Sequence, residues 1–346
     1  MKKLIIFCIV LFLGNSLWAQ SYKFKKGVES SVPIITPSNN ARQEEETTLI
    51  TAVPYIRFML ENKPYKVTIT SDGDYMAVVT KSGEMIIFDL TQKSVEFSSS
   101  FSPSPLYAAH FHPSKRIIAL GDRDGIITVF DMVRRDAIKI IYELSSSVSD
   151  LKFSPDGTIL AAVHFGGDIT FYETESYSLL DKLDLVQGSI YWLCFNPSST
   201  YLATGNRDNT VKVLETGASQ PLLSLNDHQS FVITCDFSQD NWLASGAADS
   251  QLFVYQPSNT GWDLTPYFSW IHGDWVTAVK FHLHYLFTGC KDGKIRIFDF
   301  RERKLLATLD INAPILGIDI QQNYIAVITP KFAEIYQVRE LLDSIY

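Results

Sequence analysis

Residues 149–172 read SDLKFSPDGTILAAVHFGGDITFY, and their pattern decides the fold. Residues 149–153 alternate as a strand, and Ser154-Pro155-Asp156-Gly157 supplies turn chemistry. Residues 159–163 are continuously apolar, which predicts a strand buried on both faces. Gly166-Gly167-Asp168 turns the chain again, residues 169–172 make a third strand, and a shorter fourth is expected near 179–183. Four short strands joined by tight Gly, Asp and Pro turns describe a meander, not a βαβ unit.

The same unit recurs along the chain. Ile69, Phe111, Phe153, Phe195, Phe237, Phe281 and Ile320 are separated by 42, 42, 42, 42, 44 and 39 positions. A second series keeps step with them: Phe88, Phe130, Tyr172, Leu214, Tyr255, Phe298 and Tyr336. A fixed period of this size means one supersecondary unit copied seven times. Four-stranded meanders cannot bury both faces alone, and radial packing around a channel solves that while leaving only short edges. The terminal repeats look ordinary, whereas a linear stack would need atypical caps. The expected fold is therefore all-β, a seven-bladed β-propeller of four-stranded antiparallel blades over 51–346. Residues 55–58 precede the first full repeat and are expected to close the seventh blade as its outer strand; residues 341–345 are the competing choice.

Composition suits this reading. Apolar residues make up 46% of the 346 and aromatics 13%, while a formal charge of −8 argues against a general nucleic-acid binder. Met1-Lys2-Lys3 and the apolar run 4–14 have the form of a signal peptide over 1–20, too short for a bilayer span of roughly 20 residues. Export to the periplasm or outside the cell, without stable membrane insertion, is the resulting expectation. Residues 21–50 carry no sustained apolar period and are read as a disordered or loosely packed leader. Beyond Cys8, the cysteines are Cys194, Cys235 and Cys290. Counted from the anchors, Cys194 and Cys235 point to opposite faces of their strands. A bridge between them therefore looks improbable, and all three read as buried thiols.

The segments FSPDGTILA (153–161), LATGNRDNTVKV (202–213) and TGCKDGKIRIFD (288–299) resemble the WD-repeat (tryptophan–aspartate repeat) β-propeller family across residues 55–346. The resemblance implies a side-chain network of His, Ser/Thr and Asp inside a blade. It maps onto His228, Ser245 and Asp249 in the fifth blade and His272, Thr288 and Asp292 in the sixth. The family's tryptophan is replaced by Tyr255 and Phe298 there, and phenylalanine has no N–H to donate, so the sixth network must stop short or use water. The chain reads as a divergent member.

Chemistry-bearing motifs are otherwise sparse. His112 and His282 follow anchor residues on different blades, and His282 and His284 share one turn without a carboxylate or thiol cluster, so no metal site is expected. There is no Gly-x-Ser-x-Gly elbow, phosphate-cradling loop or His-Glu-x-x-His, and neither a cofactor nor a catalytic set is expected. Equivalent turns between second and third strands hold Lys81, Arg123, Phe165, Arg207, Ala248 and Lys291, with Lys331 one position along in the seventh blade. On an acidic protein these predict a partial cationic ring on one face, suited to an acidic peptide or loop. Phe231 and Trp275, each six residues before an anchor, enter from that face; they either pack between blades or stand ready for a partner. Trp262, Tyr267, Phe268 and Trp270 fall in the longest connection and are expected in part to cover the outer strand of blade five.

The reading is a non-catalytic scaffold for a partner protein or peptide, with Lys81, Arg123, Phe165, Arg207, Phe231, Trp275 and Lys291 as binding residues. The alternative is a small-molecule or glycan binder, or an enzyme, using the channel mouth. A third places the chain in the cytosol as an assembly platform with residues 1–20 retained.

Overall fold

The computed structural model describes residues 48–142, 146–259 and 261–345. They form seven four-stranded antiparallel sheets, a seven-bladed propeller. Blade three shows the plan: Val148–Phe153, Ile159–His164, Asp168–Glu173 and Leu179–Asp184 pair in that order. Its second strand is buried from residue 160 onward because blades pack on both of its faces, and its outer strand is largely exposed. First strands of successive blades touch around the full circle, and Gly317–Gln321 of blade seven meets Pro64–Ile69 of blade one. The core accordingly lies between blades. Val79 and Ile87 of blade one, for example, pack with Leu106, Ala109 and Phe111 of blade two. Each such side chain contributes about 1.5–3 kcal/mol by leaving water.

The ring is closed by Ile56–Met59, which pairs antiparallel with Phe332–Gln337 as the outer strand of blade seven. Ile56 enters the core beside Ile335, and Arg57 pairs with Glu334. The competing segment is taken up by a helix, Val338–Asp343, so it supplies no strand. The leader differs from expectation at its end: Thr48–Ile50 runs parallel to Lys304–Asp310 and adds a fifth strand to blade six, with Ile50 buried. The expected signal peptide over 1–20 and the rest of the expected leader lie outside the described residues. The expected cover of blade five is corrected too. Phe268–Ile271, containing the fully buried Trp270, is itself the outer strand, and Pro257–Ser258 with Gly261–Trp262 makes a small hairpin before it.

Two local features position the channel mouth. In six blades the first strand carries a bulge, leaving one residue without a partner at Tyr65, Tyr107, Ser149, Tyr191, Ile233 and Thr277. A bulge re-aims its side chain and increases local twist. The turns between second and third strands need a left-handed residue next to a neighbouring backbone. At Gly83 (φ +77) and Gly167 (φ +95) a Cβ would overlap the carbonyls of Ser102 and Val186.

Because Ile56 is 8% exposed and Met59 on the same strand 72%, Ile56→Asp should cost about 3 kcal/mol or more in urea unfolding while Met59→Asp changes little. Equal effects of the two substitutions would mean that this strand does not close the ring.

Candidate functional site

The bulged residues and their neighbours build a collar around one mouth of the channel. Tyr65 packs edge-on to Tyr107 at 4.9 Å, Tyr107 meets Phe165 at 5.7 Å, and Phe165 meets Tyr191 at 5.9 Å. Tyr191 continues to Phe231 at 5.5 Å, and Phe231 to Trp275 at 5.2 Å. A lysine stands at each end: Lys291 lies 3.2 Å from the Trp275 ring centre and Lys63 5.9 Å from that of Tyr65. Six half-buried aromatic rings from six blades thus form one series, and four of them, Tyr65, Tyr107, Phe165 and Tyr191, line a mouth of about 400 Å³. Tilted and edge-to-face contacts hold such rings in place while leaving part of each face to solvent.

The sequence-predicted basic positions surround this collar. Lys81, Arg123 and Arg207 are exposed on their turns, Lys331 is exposed in the seventh blade, and Lys291 is drawn onto Trp275. Phe165 occupies the equivalent turn of blade three and joins the aromatic series. Phe231 and Trp275 do both things open to them, packing across blades five and six and keeping part of their surface. Tyr65, Tyr107 and Tyr191 were not singled out in the sequence, although each stands four residues before its anchor.

Below the collar the innermost strands face the channel with one edge, and their N–H groups find side chains of the preceding blade. Ile69 N–H donates to Asp319, Phe153 N–H to His110 Nδ1, Leu193 N–H to Asp150, Val279 N–H to Thr234 and Phe281 N–H to Asp236. Buried backbone donors require such acceptors. The carboxylates in turn hold lysines: Lys66 Nζ is 2.6 Å from Asp150, and Lys280 is 3.3 Å from Asp319 and 3.7 Å from Asp236. Lys66 also sits 3.2 Å from the Trp192 ring centre. Burial lowers the Lys66 ammonium to about 7, with Asp150 opposing the shift. Burial also works against the Lys280 charge, but Asp236 and Asp319 more than offset it and raise its pKa. These charged residues were missed; their signal is a polar side chain one or three positions before an anchor.

The blade networks fall close to expectation. His228 Nε2 lies 2.8 Å from Ser245 Oγ, and its Nδ1 3.1 Å from Asp249. In blade six His272 Nε2 reaches Thr288 at 2.9 Å, whereas Asp292 pairs with the buried Arg296 at 2.8 Å. Burial, then Arg296, depress His272 to about 3. The described cysteines are free and buried, as expected, but the supposed separation of two of them is corrected. Cys194 and Cys235 do point to opposite faces, yet neighbouring blades present opposite faces to each other, so the two free thiols meet at 2.9 Å. Cys194, Cys235 and Cys290 are all buried. Among the described residues no group of three or more His, Cys, Asp or Glu is placed to hold a metal, and no helix is long and apolar enough to cross a membrane.

Known proteins share the repeat. The WD domain, G-beta repeat family matches residues 182–214, 219–256 and 265–299, and the WD40 domain of anaphase-promoting complex subunit 4 matches 109–192. The chain carries WD40 repeats. It is 25% identical to a probable U3 small nucleolar RNA-associated protein 18 of Schizosaccharomyces pombe, over 54% of this chain and 39% of that protein. A Drosophila melanogaster protein LST8 homolog is 29% identical over 42% of this chain and 49% of its own length. The target of rapamycin complex subunit LST8 of Mus musculus is 27% identical over 42% and 47%. The chain thus spans less than half the length of each of these relatives. Export is overturned as an expectation: relatives named for a small nucleolar RNA and for the target of rapamycin complex are intracellular proteins.

The channel charges carry a pH signature. Lys66 has a lower pKa folded than the ordinary 10.5, so between about 7 and 10.5 the unfolded chain binds more protons and stability rises with pH. Lys152, also lowered by burial, adds to the same slope. Urea unfolding at pH 7 to 10 should show this rise. The double variant Lys66→Met/Asp150→Asn keeps an acceptor for the Leu193 N–H and should reduce the rise to the part due to Lys152, while changing neutral-pH stability by no more than about 2 kcal/mol. An unchanged slope would place the titration elsewhere.

Proposed function

We propose that this propeller is a non-catalytic scaffold that holds an acidic segment of a partner protein across the collared mouth. The single observation that carries the reading is the collar itself: six half-buried rings in mutual contact, ended by Lys291 and Lys63, with exposed Lys81, Arg123 and Arg207 around them. Rings held by one another lose little freedom on binding, so contact area becomes affinity at low entropic cost. The outer cations act at longer range, steering an acidic segment and setting its register. Support from the relatives is at the level of the WD40 repeat and of proteins named as parts of complexes. A small-ligand role is favoured by a different observation, the charged cavity at the other end of the channel.

An array of acidic peptides, with and without an aromatic or aliphatic residue inside the acidic run, tests the proposal. The protein should retain the acidic peptides that carry the apolar residue. Phe165→Ala or Trp275→Ala should each weaken them by about 1–2 kcal/mol. Reversing Lys81, Arg123, Arg207 and Lys291 to Glu should lower the association rate and invert its dependence on salt. Undiminished binding by both sets of variants would remove the mouth from the account.

A further inference from the structure

The channel has a second end, away from the collar. There the turns between first and second strands, including Pro113, Pro155 and Gln321, border a cavity of about 430 Å³. This is within the size range of small-ligand pockets. Its walls combine apolar rings of Phe111, Phe153, Phe195 and Trp192 with charges from Lys152, Asp236 and Lys280.

Those charges do not cancel locally. Lys66 is matched by Asp150, and Lys280 is shared by Asp236 and Asp319, which leaves that second group with one surplus negative charge. The compensating positive charge is Lys152, on the opposite side of blade four. It is 8% exposed and makes no ion pair among the described residues; its ammonium stands 5.5 Å from the Trp192 ring centre. The cavity therefore has a positive wall at Lys152 of blade three and, beyond Cys194 and Trp192 of blade four, the Asp236–Lys280–Asp319 group with its one surplus negative charge, of which Asp236 and Lys280 line the cavity and Asp319 stands behind them. A buried ammonium without a direct partner is costly, and a group that supplies an oxygen to it recovers part of that cost. His110 adds a second donor. Its Nδ1 accepts the Phe153 N–H at 3.1 Å, so in the neutral ring the proton is on Nε2. Burial lowers its pKa well below the ordinary histidine value, which keeps the ring neutral.

We infer that this cavity binds a small zwitterion, a free α-amino acid with an apolar side chain. Its carboxylate would face Lys152 and His110, its ammonium would face Asp236, and its side chain would lie against the phenylalanines. A simple anion satisfies Lys152 but adds to the surplus negative charge across the cavity. A simple cation has the converse fault. Only a ligand carrying both charges matches both walls, and the rings give it an apolar seat. Nothing in this reading depends on the collar, since the two sites lie at opposite ends of the channel.

Calorimetric titration of the full chain with L-phenylalanine, phenylacetate and phenethylamine is the test. Phenylalanine should bind, and the two singly charged analogues should bind at least about tenfold more weakly. Lys152→Met keeps the apolar stem and removes the unpaired charge. It should retain or raise the thermal midpoint while weakening phenylalanine at least about tenfold. Asp236→Asn keeps an acceptor for the Phe281 N–H and should weaken phenylalanine while strengthening phenylacetate, because the surplus negative charge is gone. The inference is overturned if phenylalanine gives no heat at about 10 mM, if phenylacetate binds as tightly as phenylalanine, or if folded Lys152→Met binds undiminished.

Discussion

Each innermost strand of this propeller is an edge strand. Its N–H groups toward the channel have no sheet partner, and seven such edges converge on one axis where water is scarce. Unpaired backbone donors there would be costly, and four blades lend an acceptor to the next: Asp319 to Ile69, His110 to Phe153, Asp150 to Leu193, Asp236 to Phe281. Carboxylates buried for that purpose bring lysines with them, and the lysines bring an electrostatic pattern into the channel. The polar channel therefore begins as a structural necessity of closing the ring. Its surplus and unpaired charges are what remains after that necessity is met.

The same edges shape the mouth. A bulge in six first strands frees one residue per blade from the ladder, and three of those residues are tyrosines that lean into the collar. Collar and charged turns divide the work that recognition needs. The rings are pre-organised and supply area, whereas solvated lysines and arginines supply little net affinity but a long-range field. Fold alone does not choose among partners; the side chains at these few positions do.

The period of the anchors made the blades legible, and the closing strand at Ile56–Met59 followed from the same spacing because closure demands a strand at that offset. The His228–Ser245–Asp249 set was legible through the resemblance, since its members keep fixed offsets within a blade. What escaped shares one cause: it depends on contacts between blades, which a reading of each repeat by itself does not contain. The Cys194–Cys235 contact is the plainest case, for opposite faces are what adjacent blades turn toward each other. Tyr65, Tyr107 and Tyr191 escaped because a bulge leaves no mark in an alternation counted from the other end of the strand. Thr48–Ile50 escaped because it adds parallel to a distant blade, with only one buried side chain to betray it. The apolar run at 4–14 suggested export by its form, and the intracellular relatives corrected it.

The central claim is that the collared mouth, not the outer edges of the blades, receives a partner. The outer strands of blades one to three offer the competing surface, for Val95, Ile140 and Leu180 are exposed there. A photo-crosslinking amino acid placed in turn at Tyr191, at Phe165 and at each of these three positions measures which surface a bound acidic partner touches. Crosslinks from Tyr191 and Phe165 alone are the predicted result. Crosslinks from the outer strands with none from the mouth would contradict the account.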